Sequence, residues 1–211
     1  MNKKIIFIIC FITICSSFLF SQTDDAISLG INSFSKQELQ EFNTLDCPQK
    51  NNNISFVMKF PKNYSSKDGL RTHILKQYTS EKDNFGGYIS SNIQITGLTD
   101  ELKLFSETEI TEYLFSEEIL KETYPSAKII YHKRTKYEGN DGQIIMFIQQ
   151  TERAGVTINM IGCIQQFLYK KSMVSINTFY ASFGEQLYSE KQLQQFLLFN
   201  TMLGNSIIIK K

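Results

Sequence analysis

From Ile54 onward the chain reads as strands punctuated by turns. Ile54, Phe56, Met58 and Phe60 alternate with Ser55, Val57 and Lys59, the period-two pattern of a strand with one buried face. Pro61-Lys62-Asn63 breaks that run. Arg71 to Thr79 predicts a second strand, and Gly86-Gly87 opens a third over Tyr88 to Thr96. After one helix, four strands follow in close order: Ala127 to Tyr137, Gln143 to Thr151, Val156 to Tyr169 and Ser172 to Ser182. The turns between them are Glu138 to Gly142, Arg153 to Gly155 and Lys170-Lys171. Links this short predict an antiparallel meander. Ile144 to Ile148 is apolar on both faces, so Gln143 to Thr151 is expected to be a central strand.

Two helices carry capping boxes. Ser106 with Glu109 opens one that presents Ile110, Tyr113, Leu114 and Leu120 near one stripe and ends at Tyr124-Pro125. Ser189 with Gln192 opens the other, with Leu193, Phe196, Leu197 and Leu203 inward and Gly204-Asn205 as its stop. Ile207 to Ile209 then predicts a terminal strand, and Lys210-Lys211 would protect its edge. Strands outnumber helices and turns link most of them. The expected fold is α+β: one antiparallel β-sheet with helices packed on its faces, an α/β/α sandwich.

The first residues follow a different logic. Lys3-Lys4 precedes the apolar run Ile5 to Phe20, and Ser21-Gln22 comes before the acidic pair Asp24-Asp25. That order is the pattern of a secretory signal peptide over residues 1–21. The run is shorter than the ~20 apolar residues of a membrane span. A lipoprotein anchor on Cys15, in Ile12-Thr13-Ile14-Cys15, meets a bulky Ile14 where a small residue is wanted. Residues 22–53 are expected to form an N-terminal arm. Ser35 to Glu38 caps a short helix near Lys36 to Phe42, and Cys47-Pro48 to Asn53 is a polar linker. A single domain is expected over 54–211.

Composition places this chain among ordinary folded proteins: 211 residues, 42% hydrophobic and 20% charged, with 3 Pro. Lys+Arg number 22 against 21 Asp+Glu; without Lys3 and Lys4 the balance becomes 20 to 21, a net −1. Such a balance offers nucleic acid no general attraction, and no nucleic-acid partner is expected. Membrane association is expected only through the signal segment. Of the 4 Cys, removal of Cys10 and Cys15 leaves Cys47 and Cys163, an exported pair that is a candidate disulfide. Two unpaired thiols are the alternative.

No phosphate loop, dinucleotide fingerprint or nucleophile elbow occurs. Ser33 to Lys36 spells SxxK without its partner motifs. The 2 His, His73 and His132, stand outside any zinc spacing, so no metal or cofactor is expected. An enzyme would need a site assembled from distant residues, such as His132, Glu152 and Cys163. Tyr131 to Tyr137 holds the densest basic cluster, but strand alternation divides its charges between two faces.

Ile54 to Phe60, Pro61 and Tyr64 together resemble the opening of the PsbP/Mog1-like family, in which an apolar strand, a Pro and an aromatic three residues later recur. The aromatic there is commonly Trp, where this chain has Tyr64. The order of strands, helix, meander with Asp141-Gly142, helix and strand extends the resemblance over Ile54 to Lys211. It implies an α/β/α sandwich and a theme of binding and assembly rather than catalysis. No functional residue transfers with it. The expected function is an exported, non-enzymatic binding or assembly protein of the bacterial envelope, periplasmic or secreted. A small-ligand carrier with a pocket between sheet and helix is the alternative, and a hydrolase with a non-motif site the other.

Overall fold

The computed structural model describes residues 42–47, 54–61, 64–82, 87–183 and 188–210, the first of these as backbone only. Ten strands form two antiparallel sheets. The smaller joins β1 (Phe42–Cys47), β2 (Ser55–Pro61) and β10 (Ile208–Lys210) in the order β1-β2-β10. The larger joins β3 (Ser65–Asp68), β4 (Ile74–Thr79), β5 (Tyr88–Gly97), β6 (Lys128–Tyr137), β7 (Asn140–Arg153), β8 (Val156–Tyr169) and β9 (Ser172–Phe183). Its spatial order is β3-β4-β5-β9-β8-β7-β6. Helices α1 (Glu107–Leu114), α2 (Glu117–Thr123) and α3 (Glu190–Asn205) complete the α+β architecture.

The meander forms as its turns dictate. Three two-residue hairpins join β6 to β9, at Glu138-Gly139, Ala154-Gly155 and Lys170-Lys171. Both residues of each have positive φ, the conformation whose twist matches the flanking strands. The first turn is tighter than expected, because Asn140 to Gly142 already belong to β7.

The core lies on one face of the large sheet. Alternation in β2 turns Phe56, Met58 and Phe60 onto Tyr78, Ile93, Ile95, Val174 and Ile176, all buried. Each such side chain contributes about 1.5–3 kcal/mol on leaving water. Phe60 stacks on Tyr78 at 3.8 Å, and Tyr64 lies between Phe60 and Phe199 of α3. Further along the same face, α3 packs Phe196 and Leu197 on Ile144, Met146, Ile161 and Cys163. Gly204 sets how closely α3 approaches: a Cβ there would collide with Gln165 Oε1 and lie 2.8 Å from the Tyr137 ring.

Helices α1 and α2 lie over the opposite face. Ile110 packs on Leu168, and Tyr124 just beyond α2 stacks on Phe147 at 5.3 Å. The single helix expected here is two. Ser116 accepts from the Ile119 amide and caps α2 afresh, while the buried Phe115 leaves helical geometry.

Three further expectations change. The sheet is not one but two, the smaller covering the core face beside α3. Phe42–Cys47 is strand where a helix end and a linker were expected; it pairs along β2, whose backbone groups need partners. The rest of the expected arm helix, and the segment 1–41, lie outside the described residues. β7 is sixth of seven strands rather than central. Ile144 to Phe147 are nevertheless buried on both faces, because α3 covers one and the Tyr124 region the other.

Candidate functional site

The face under α1 and α2 carries a row of polar side chains where a core would carry aliphatic ones. Strand register places Gln94 of β5 opposite Ser175 of β9, Ser175 opposite Gln166 of β8, Gln166 opposite Gln143 of β7, and Gln143 opposite Arg134 of β6. Opposed residues of an antiparallel pair share a face, so the row crosses five strands. Asn92, Asn177 and His132 stand in the next row, with Ile164 and Ile145 between them.

The row is joined by hydrogen bonds. Gln143 Nε2 donates to Gln166 Oε1 at 2.9 Å, and Gln166 Nε2 donates to Ser175 Oγ at 3.3 Å. His132 Nε2 lies 3.0 Å from Gln143 Oε1. Asn177 Nδ2 and Gln94 Nε2 both donate to Asn92 Oδ1, at 3.1 and 2.6 Å. Gln143 is 1% exposed, Ser175 7% and Asn177 9%. At that depth an amide without partners costs about 1–3 kcal/mol, so the chain of bonds is what makes the row tolerable.

Above the row is a cleft of about 390 Å³ between sheet and helices. Its floor is Gln94, Gln143, Gln166, Ser175 and Asn177; its roof includes Phe115, Leu120 and Tyr124. Arg134 closes one side of the helix layer: its Nη1 donates to the Thr111 carbonyl at 2.8 Å, and its guanidinium lies 4.9 Å over the Phe115 ring. Among the described residues no Asp, Glu, Lys or Arg lines the cleft. Burial pushes the Tyr124 phenol above its ordinary range, so it stays a neutral hydroxyl. This arrangement offers hydrogen bonds and apolar contact, without a charged group.

A second concavity of about 720 Å³ adjoins the cleft and shares Thr99 and Leu102 with it. Phe105, Ile110 and Tyr113 supply its apolar surface, and Glu101, Glu109 and Glu112 its rim. Leu104 is 86% exposed, Tyr113 55% and Phe105 50%. Lys103 is held by Asp100 at 2.8 Å and Lys171 Nζ donates to the Lys103 carbonyl at 2.7 Å, so among the described residues the lining itself carries the three carboxylates and no cation.

The residues singled out from sequence fall elsewhere. His132 and Cys163 face opposite sides of the large sheet, since His132 opposes Ile145 while Cys163 opposes Met146. Glu152 is exposed, six residues further along β7 than Met146, so the imagined hydrolase site does not assemble. Cys163 is buried and has no disulfide partner among the described residues, and its candidate partner, the Cys47 side chain, lies outside them, as do Ser33 to Lys36. The His73 carbonyl accepts from the Ile95 amide at 2.9 Å in the turn before β4. In the basic cluster, Arg134 is committed to α1, and Lys136 pairs with Asp141 at 2.8 Å. Among the described residues no group of three His, Cys, Asp or Glu converges as a metal site. No described helix is long and apolar enough to cross a membrane.

The polar row went unnoticed in the sequence, although a signal existed. Gln165-Gln166 interrupts the apolar run Ile161 to Tyr169, Gln143 stands at the head of Ile144 to Ile148, and Ser175 and Asn177 share one face of a strand whose other face carries Val174 and Ile176. A polar residue inside such a run must face something other than hydrocarbon.

No protein-family description matches the chain, and no curated protein matches it. Among solved structures the chain is similar to Mycobacterium tuberculosis LpqN, described as involved in cell envelope biogenesis. That match has 6% identity over 81% of this chain and 92% of that one, with a TM-score of 0.46. It is similar to the Saccharomyces cerevisiae Ran-binding protein Mog1p at 8% identity, over 79% of this chain and 95% of that one, with a TM-score of 0.47. A Bacteroides thetaiotaomicron structure shares 12% identity over 74% of this chain and 45% of its own, with a TM-score of 0.36.

Proposed function

We propose that this chain is an exported, non-enzymatic binding or assembly protein of the bacterial envelope that docks a basic, apolar segment of a partner protein against α1. The observation that carries this reading is the groove beside α1. Phe105 and Tyr113, which line it, are half or more exposed, the neighbouring Leu104 is exposed as well, and three carboxylates rim the concavity. Exposed apolar groups gathered in one place favour association, and a rim of one charge selects its opposite. Glu107 at the start of α1 adds to the field. Export is supported by Lys3-Lys4 and the apolar run Ile5 to Phe20.

A short peptide alternating Lys and Leu is the probe. It should bind the wild-type protein, weaken as salt rises, and lose binding to Phe105→Ser and to Glu101→Lys/Glu112→Lys. A peptide alternating Glu and Leu should not bind. Equal binding of both peptides, or binding indifferent to charge reversal, overturns the docking reading. N-terminal sequencing of the protein from producing cells should find a start near Ser21; intact Met1 in the cytoplasm would overturn export.

A further inference from the structure

The cleft between the large sheet and the α1–α2 layer points to a second activity, independent of the groove. We propose that it binds a small, neutral, polyhydroxylated molecule with one apolar face, sugar-like in its chemistry.

The size suits such a ligand. About 390 Å³ falls in the range of small-molecule sites, roughly 300–1,000 Å³. The floor decides the class. Its hydrogen bonds run one way, from Gln143 to Gln166 to Ser175 Oγ, and leave the Ser175 hydroxyl hydrogen without a partner among the described residues. Asn177 Oδ1 and Gln94 Oε1 accept nothing among those residues either. Ser175 and Asn177 are more than nine-tenths buried and line the cleft. One donor and two acceptors thus stand unused, side by side, on a deep surface. A hydroxyl group both donates and accepts, so neighbouring hydroxyls on one ring edge match this mixed set.

The surroundings exclude the other classes. An anion finds no cation in the cleft, because the Arg134 guanidinium is spent on the Thr111 carbonyl and the Phe115 ring. A cation finds no carboxylate on the lining. An acyl chain would strip water from Ser175 and Asn177 and return no hydrogen bond, leaving both groups buried without partners. A sugar ring instead presents its hydroxyl edge to the floor and its C–H face to Phe115, Leu120 and Tyr124.

The test follows side-chain amide resonances of Gln143, Gln166 and Asn177 by ¹H–¹⁵N NMR during titration with glucose, N-acetylglucosamine, glucuronate and decanoate. Saturable shifts with a neutral sugar are expected. Ser175→Ala and Gln166→Leu should each weaken that binding about tenfold or more while the backbone spectrum stays that of a folded protein. The groove variant Phe105→Ser should bind the sugar as wild type does, which separates this site from the peptide site. Absence of shifts with both neutral sugars overturns the proposal. So does tighter binding of decanoate or glucuronate, or sugar binding untouched by both floor variants. If neither floor variant folds, the wild-type titration decides alone.

Discussion

Cys163 shows how a single residue takes its character from its layer. It sits on β8 facing α3, packed against Phe196 and Leu197. Burial pushes its thiol well above the ordinary range, so the reactive thiolate is scarce. Alkylation of Cys163 should therefore be slow in the native protein and fast in urea, read by mass spectrometry of the labelled peptide. Rapid native labelling would show that α3 does not seal this face. The pairing with Cys47 expected from sequence is put to the same digest: a non-reduced peptide joining Cys47 to Cys163 would establish the bridge. The same dependence on depth applies to Gln143 and Gln165, neighbours in register rows but on opposite faces. Gln143 joins the cleft floor, while Gln165 accepts from Tyr137 Oη at 3.0 Å and donates to the Asn200 carbonyl under α3.

Among the elements, α1 is short and owes much of its definition to its ends. Ser106 Oγ accepts from the Glu109 amide, and the Glu109 carboxylate accepts from the Ser106 amide at 2.9 Å and its hydroxyl at 2.7 Å. The hydroxyl bond first, then the amide bond, hold the Glu109 carboxyl below the usual carboxylate range. A lowered folded-state value means that this contribution is present above the ordinary carboxyl pKa, about 4.3, and is lost as pH falls through the lowered one. Amide protection at the start of α1 should decline over that acid range, measured by hydrogen exchange. Ser106→Ala should reduce this pH dependence, since only the amide bond to Glu109 then remains, and destabilise α1 by about 1 kcal/mol. Protection that is flat with pH in the wild type would contradict the capping role. Because α1 roofs the cleft and forms the groove, loosening it should be felt at both.

At the scale of the molecule, one face of the large sheet carries stability and the other carries chemistry. The core face packs β2 and α3 with aromatic and aliphatic side chains; the far face holds the amide row beneath two short helices. Phe196→Ala should cost about 3–5 kcal/mol and lower the urea midpoint, since Phe196 is wedged among Tyr131, Ile144 and Met146. An unchanged midpoint would mean that α3 does not dock there. Phe105→Ser, on the exposed groove, should leave the midpoint nearly where it was.

Much of this plan could be read from local pattern. Alternation in Ile54 to Phe60, the three short turns of the meander and the capping boxes at Ser106 and Ser189 are signals within a few residues; each formed in place, with the first two turns shorter than read. Period-two and 3.6-residue patterns report which side of an element is buried, and a cap reports where a helix begins. They do not report which strands become neighbours. That is why β7 sits next to the edge and why β1, β2 and β10 form a sheet of their own. The amide row escaped for the same reason. Gln94, Ser175, Gln166 and Gln143 lie far apart in sequence, and only the register of four strands sets them side by side. Most strands, their buried faces and the turns between them were legible locally, because they depend on neighbours along the chain; Phe42–Cys47 was not, since it is strand through its pairing with β2. Which polar residues share a surface, and what roofs them, follows from strand pairing, which the packing of the whole molecule sets.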